Sequence, residues 1–157
     1  MRKVIFIFFI AVLSLPNILW ASDPIIGTWK RNFEKSTPYE RDDIKDVIEV
    51  YKEIEGNMIE ATSTSFRKDG STGVIKKIFP KEGGVAKYVD VKIPEGVLHA
   101  VISVGSGDWY ISTIVNGRKT LLRHYMVSKD EKTLIETIKG INYEGKLVDA
   151  MVVSDRQ

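Results

Sequence analysis

The 157-residue sequence contains no cysteine and only two histidines, and these absences exclude several kinds of site. Disulfide scaffolds, thiol catalysis, iron–sulfur clusters and zinc–thiolate centres all need cysteine. His99 and His124 form neither an HxH nor an HExxH pattern, so the sequence predicts no histidine-based metal site. We therefore expect no metal and no other cofactor. At this length the chain is expected to form one domain around one hydrophobic core.

The chain also lacks an excess of one charge beyond its first 21 residues. Those residues hold two basic side chains and no acidic one, and the whole chain has 23 basic and 21 acidic side chains. Residues 22–157 are therefore neutral overall. We interpret pairs such as Lys76-Lys77 as solvated strand edges rather than as part of a basic stripe. Since phosphate binding needs a basic excess or patch, nucleic acid is not predicted as a partner.

Residues 1–21 have the pattern of a secretory signal peptide. Two basic residues begin the segment, ten apolar residues follow from Val4 to Leu13, and Ala21 offers a small residue at the cleavage site. The alternative is an uncleaved anchor, but the apolar run is shorter than the roughly 20 residues that span a bilayer. We expect cleavage, no stable membrane anchor afterwards, and export to the periplasm or the exterior of a bacterium. Residues 22–157 would form the folded domain.

Turn residues recur about every ten positions after Gly27 and predict a series of short antiparallel strands. Asn-Gly pairs such as Asn116-Gly117 suit type I′ hairpin turns. No segment after residue 22 has the periodicity of a long amphipathic helix. Eight to ten strands joined in order predict an all-β, up-and-down antiparallel meander that closes into a barrel. The runs rich in β-branched and aromatic residues are 26–33, 46–55, 57–67, 73–79, 85–93, 97–104, 108–115, 118–127, 133–139 and 146–155.

Four motifs at the two ends of the chain carry a family resemblance. The first is Gly27-Thr28-Trp29 on the first strand; the others are the segments 128–134, 139–142 and 155–157. This ordered set resembles small secreted bacterial lipocalin-like proteins of the calycin superfamily, which includes lipocalins and fatty-acid-binding proteins. The resemblance implies that Trp29 fills the closed end of the barrel and that Arg156 lies over its ring. Gly27 would allow close packing there.

Arg31 departs from the family pattern. It shares the strand phase of Trp29 and Phe33, so its side chain should point inward, where relatives usually carry an apolar residue. A buried guanidinium is costly unless it is paired. Three interpretations stay open: an acidic partner such as Glu49 or Glu136, a position near the open end of the barrel, or contact with an anionic group of a ligand.

Aromatic and histidine side chains are distributed over the strands, and they could line a small-molecule cavity. Ordinary core packing is the alternative for each of them. The sequence has no Gly-x-Ser-x-Gly elbow and no acid placed to orient His99, so we expect no catalytic residues and no enzymatic activity. The candidate ligand-binding residues are Arg31, Tyr51, Phe66, Tyr88, His99, Trp109 and His124.

Two functions remain consistent with the sequence. The first is binding or carrying a small apolar or amphipathic molecule, such as a fatty acid. The second is protein binding by a barrel with a filled interior, for example an inhibitor or an envelope assembly factor. The short segment 22–25 before the first strand leaves little chain for an inhibitory tail, which favours the first function. The space inside the barrel discriminates between them.

Overall fold

The computed structural model describes residues 22–37, 43–142 and 145–157. The predicted signal peptide lies outside the described residues, so its cleavage stays a prediction. No helix in these ranges is long and apolar enough to cross a membrane. The ten strands are β1 (Gly27–Arg31), β2 (Ile44–Ile54), β3 (Met58–Arg67), β4 (Thr72–Pro80), β5 (Gly83–Val89), β6 (Val97–Gly105), β7 (Asp108–Val115), β8 (Arg118–Val127), β9 (Thr133–Ile141) and β10 (Leu147–Arg156).

The strands form an up-and-down meander that closes on itself. Each strand pairs antiparallel with its neighbours in sequence, and β1 pairs with β10 to complete the barrel. Closure gives every strand a paired neighbour on both sides, which protects the sheet from edge-to-edge association. The predicted all-β barrel is therefore confirmed, with ten strands. The largest difference from the predicted runs is in β5, which ends at Val89.

The register defines which side chains face the barrel interior, because directly paired residues of antiparallel strands point to the same side of a sheet. Trp29 is fully buried and pairs with Glu49. On the next strands Ala61 pairs with Lys77, and Lys77 pairs with Tyr88. Since Ala61 is also buried, the odd-numbered positions of β1 to β4 face inward, and charged residues lie among them.

One end of the barrel is filled with apolar side chains. The ring of Phe79 meets the ring of Trp109 edge to face, with centroids 5.7 Å apart. Ile25, from the segment before β1, packs in the same cluster as Trp29 and Ile59, and all of these side chains are almost fully buried. This closed end contributes much of the core.

The opposite end is less completely closed, above all between β4 and β5. Direct pairing there covers only Lys76 to Ile78 of β4. Beyond Val89 the chain turns at Asp90, whose φ of 59° is left-handed, and β5 does not continue. As a result Ile75 remains 49% exposed although it shares the inward phase of Lys77. The upper part of β4 is therefore unpaired on its β5 side, and we call this gap the opening between β4 and β5.

Candidate functional site

The closed end contains the three residues that the family resemblance singled out. The guanidinium carbon of Arg156 lies 4.3 Å from the Trp29 ring centroid. Arg156 also donates hydrogen bonds to the backbone oxygens of Ile26 (3.0 Å) and Pro24, while the Trp29 indole donates to Ile25 O at 2.8 Å. A Cβ on Gly27 would lie 2.6 Å from Arg156 Nη1. Gly27 therefore makes room for the guanidinium, not for a neighbouring backbone.

Above the closed end, five charged residues from five strands lie together inside the barrel. We call Arg31, Glu49, Lys77, Arg123 and Glu136 the interior charge cluster. Electrostatic coupling links Glu49 to each of the other four, and the strands β1, β2, β4, β8 and β9 supply one residue each. With three cationic and two acidic side chains, the fully ionised cluster has an excess of one positive charge. An excess of that sign favours an anionic partner.

Arg123 and Glu136 form the tightest ion pair of the cluster. Arg123 Nη1 donates to Glu136 Oε1 at 2.5 Å, and Tyr125 also bonds to the Glu136 side chain. Although burial opposes ionisation, the Arg123 guanidinium and these hydrogen bonds keep the pKa of Glu136 below its usual value. Glu136 is therefore a carboxylate, and it satisfies Arg123 rather than a ligand.

Glu49 has a different environment. Burial, assisted by the negative charge of Glu136, raises its pKa, while Lys77, Arg31 and Arg123 act in the opposite direction. Arg31 thus lies close enough to an interior acid to interact with it, as one of the three interpretations of this residue expects. It also approaches Phe33, with 6.0 Å between the guanidinium carbon and the ring centroid. Arg31 is a member of the cluster rather than an isolated buried charge.

Lys77, on β4, is the third cation of the cluster. It has no ion pair among the described residues. Its Nζ lies 5.6 Å from the centroid of the Tyr125 ring. Burial and the positive charge of Arg123 lower the pKa of Lys77, against the attraction of Glu49 and Glu136. The side chain points inward and keeps some exposed surface.

Three predicted ligand-binding residues surround this cluster. Tyr88 is the direct register partner of Lys77, and its ring lies 5.0 Å from the ring of His99. His99 Nδ1 lies 3.3 Å from Thr113 Oγ1. Burial and the charges of Lys77 and Arg123 lower the pKa of His99 to about 4, so the imidazole is neutral near pH 7.

Tyr51 is buried beside Glu49, and its pKa is raised well above its ordinary value by burial.

Two predicted site residues lie outside the barrel, and their assignment to a cavity is wrong. Phe66 pairs with Asp46 and Thr72, and it alternates with the inward-facing Ser65. His124 stacks on Tyr110 with centroids 4.2 Å apart and contacts Asp108 at 2.7 Å. In both strands it is the odd-numbered positions that face inward, so these even-numbered side chains cannot reach an interior ligand.

Trp109 faces inward but lies within the closed end. It is 2% exposed and packs against Phe79. It therefore belongs to the apolar filling below the charge cluster. In contrast, the sequence interpretation missed Lys77, which it assigned to a solvated edge, and Arg123. The available signal was strand phase, because Lys77 shares the phase of Phe79 and Arg123 shares that of Tyr125.

Two further features bear on the kind of site. The described ranges contain no group of three or more side chains suited to hold a metal ion. A separate depression of about 440 Å³ lies beside the end of β1, lined by residues of the segment 30–34 together with Asp155 and Gln157. The inward-facing cluster residues other than Arg31 do not line it. The charge cluster, with both an opening and uncompensated charge, is therefore the stronger candidate.

The chain matches no described protein family and no curated relative. Among solved structures, it is similar to the fluorescent protein UnaG, with a TM-score of 0.54 and 13% identity over 84% of this chain and 96% of that one. A point mutant of UnaG gives a TM-score of 0.58 and 14% identity over 85% of this chain and 96% of that one. The siderocalin Ex-FABP gives a TM-score of 0.43 and 11% identity over 85% of this chain and 71% of that one. The UnaG likeness shows that the two proteins share the fold of a closed β-barrel.

Proposed function

We propose that this protein is an exported, non-enzymatic carrier of a small amphipathic molecule with an anionic head, such as a fatty acid. The observation that carries the proposal is the interior charge cluster, whose three cations exceed its two acids. Because Glu136 already holds Arg123, the excess positive charge lies at Lys77 and Arg31. A carboxylate placed there completes the charge balance, and charge-assisted hydrogen bonds to it are stronger than neutral ones.

The position of the cluster predicts the orientation of the ligand. Below the cluster the interior is filled by Trp29, Phe79 and Trp109. Above it, the inward-facing Ile75 remains half exposed beside the opening between β4 and β5. An acyl chain therefore extends from the cluster toward the opening, and burial of its methylene groups supplies most of the affinity, about 0.8 kcal/mol each.

The partial filling also bears on the alternative, a barrel that binds proteins and has no internal space. Such a barrel would cover every inward-facing side chain. Here Glu49, Ser63 and Lys77 face inward and keep exposed surface, and polar groups of this kind are costly to enclose without partners. This pattern favours the small-molecule carrier.

Calorimetric titration with dodecanoate and with its methyl ester tests the proposal. The ester has the same chain but no charge, so the wild-type protein should prefer the acid. Lys77→Met should weaken dodecanoate binding at least about tenfold, since a hydrogen bond to a charged group contributes about 1.5–3 kcal/mol. Equal affinity for acid and ester, or no heat with either, would reject the anionic-head assignment.

Lys76→Met provides the matched control. Lys76 is the adjacent residue on β4, points outward, and pairs with Glu60 at 3.2 Å. This variant removes the same charge from the same strand without touching the interior. Dodecanoate affinity should therefore remain at the wild-type value, and a loss equal to that of Lys77→Met would show that the effect is not local to the cluster.

A further inference from the structure

Lys77 places a primary amine inside the barrel, next to carboxyl and phenol groups. We infer that Lys77 forms a covalent imine with apolar aldehydes that enter the barrel, so that long-chain aldehydes are a second class of ligand. This inference rests on the proposed function, because both require the head of an amphipathic molecule to reach Lys77. It goes beyond that function by assigning bond formation to one side chain.

The geometry supports access to the amine. Lys77 is the next inward-facing residue of β4 after Ile75, toward the closed end. Ile75 itself borders the opening between β4 and β5. It has no ion pair among the residues that the structure describes. Outward-facing Lys76, in contrast, is bound to Glu60. An aldehyde whose chain lies along Ile75 therefore presents its carbonyl carbon to Lys77 and not to Lys76.

The environment also favours the reactive form of the amine. Burial and Arg123 lower the pKa of Lys77, and each pKa unit raises the fraction of free amine at neutral pH about tenfold. With Lys77 neutral, the two guanidinium groups of Arg31 and Arg123 balance two carboxylates. Loss of the lysine proton therefore takes the cluster from an excess of one positive charge to neutrality, and the buried free amine formed in this way is a nucleophile toward carbonyl compounds.

The bond-forming step balances without an oxidant or a reductant. The lysine nitrogen attacks the aldehyde carbon, and one amine proton passes to the former carbonyl oxygen to give a carbinolamine. The second amine proton then leaves with the hydroxyl group as water, and the C=N bond forms. Glu49, whose pKa is raised by burial, can donate and accept protons beside the nitrogen. The product is the imine and one molecule of water.

The test uses dodecanal as the probe and sodium cyanoborohydride to trap the imine as a secondary amine. Peptide mapping by mass spectrometry then gives the rate of labelling at each lysine of the folded wild-type protein. Lys77 should be labelled at least about tenfold faster than Lys76, because binding holds the aldehyde near the amine. Excess dodecanoate should protect Lys77. Labelling of Lys77 no faster than Lys76 overturns the inference.

Variants and a parallel measurement separate this inference from the proposed function. Lys77→Arg keeps the charge but cannot form the imine, so the fast-labelled site should disappear; circular dichroism verifies that the variant is folded. Lys76→Met should leave the labelling of Lys77 at its wild-type rate. Dodecanoate binding without fast labelling of Lys77 overturns the imine alone, whereas failure of both ligands to bind overturns the carrier function as well.

Discussion

At the scale of single residues, the two interior tryptophans differ in what their indole nitrogens contact. Trp29 donates to Ile25 O and carries the Arg156 guanidinium on its ring. Trp109 Nε1 is buried and has no hydrogen-bond partner among the described residues. A buried donor without a partner costs free energy, while a satisfied one contributes about 0.5–1.5 kcal/mol. The two side chains therefore stabilise the barrel unequally, although both are almost fully buried.

This difference predicts the effect of replacing each tryptophan with phenylalanine. Trp29→Phe loses the hydrogen bond and weakens the cation–π contact, and it should lower the free energy of unfolding by about 2–4 kcal/mol. Trp109→Phe removes the unsatisfied N–H and should cost less. Urea denaturation of the two variants measures the difference. An equal or larger loss for Trp109→Phe would contradict the assignment of the closed end.

His99 predicts a pH dependence of stability. Its pKa in the folded protein is about 4, below the value of 6.5 for a free side chain. Between these values the unfolded chain binds the proton and the folded protein does not, so the stabilisation is complete above pH 6.5 and is lost as the pH falls toward 4. The loss should reach at most about 3 kcal/mol.

The His99→Gln variant isolates this contribution, because the carboxylates that also titrate in the window are the same in both proteins. As the pH falls from 7 to 4, the unfolding free energy of the wild type should decrease more than that of the variant. Denaturation curves at several pH values measure both. Parallel profiles would show that His99 can be protonated inside the barrel.

At the scale of the strands, turn chemistry and β-rich runs were sufficient to predict a meander of eight to ten strands in order. They were not sufficient to predict which face points inward. In β2 the apolar Ile48 and Val50 alternate with Glu49, yet Glu49 and its neighbour Tyr51 face inward because Trp29 and Gly27 pair with them. Apolar content indicates the interior only where the interior is apolar, and charged residues inside the barrel reverse that rule.

The same reversal explains the errors among the predicted site residues. The apolar Leu122 and Met126 share the strand phase of His124, whereas the inward positions of β8 include Arg123 and Tyr125. The partner that stabilises Arg123 is Glu136 on β9. Only the register between strands brings these two together, and strand register between separate runs cannot be derived from the local pattern of one sequence.

Close packing between strands makes one glycine of β9 indispensable. A Cβ on Gly140 would lie 2.1 Å from Thr120 O, and its φ is 132°. Gly140→Ala should therefore destabilise the barrel by more than about 3 kcal/mol, since the obstacle is backbone and cannot rotate away. Gly117→Ala is the control: its φ of 76° is also positive, but nothing lies within 4 Å. Thermal denaturation should show a clearly larger loss for Gly140→Ala, and similar melting temperatures would contradict the β8–β9 packing.

At the scale of the whole molecule, the barrel has a filled end, a charged middle and an opening beside β4. The filled end provides stability through side chains such as Trp29 and Phe79. The charged middle costs stability, since buried ions lose their hydration, and such a cost is typical of functional sites. The opening lies next to Ile75, the inward-facing residue of β4 that precedes Lys77. Each part lies at a different height in the barrel, so binding and folding depend on largely separate residues.

The most direct test of the account is a crystal structure of the protein with dodecanoate. The carboxylate should lie within about 3.2 Å of Lys77 Nζ, with the acyl chain running past Ile75 toward the opening between β4 and β5. The filling of Trp29, Phe79 and Trp109 should remain in place. A carboxylate bound at the outer depression beside β1, or an acyl chain that displaces the closed-end side chains, would contradict the central claim that the interior charge cluster binds the head of the ligand.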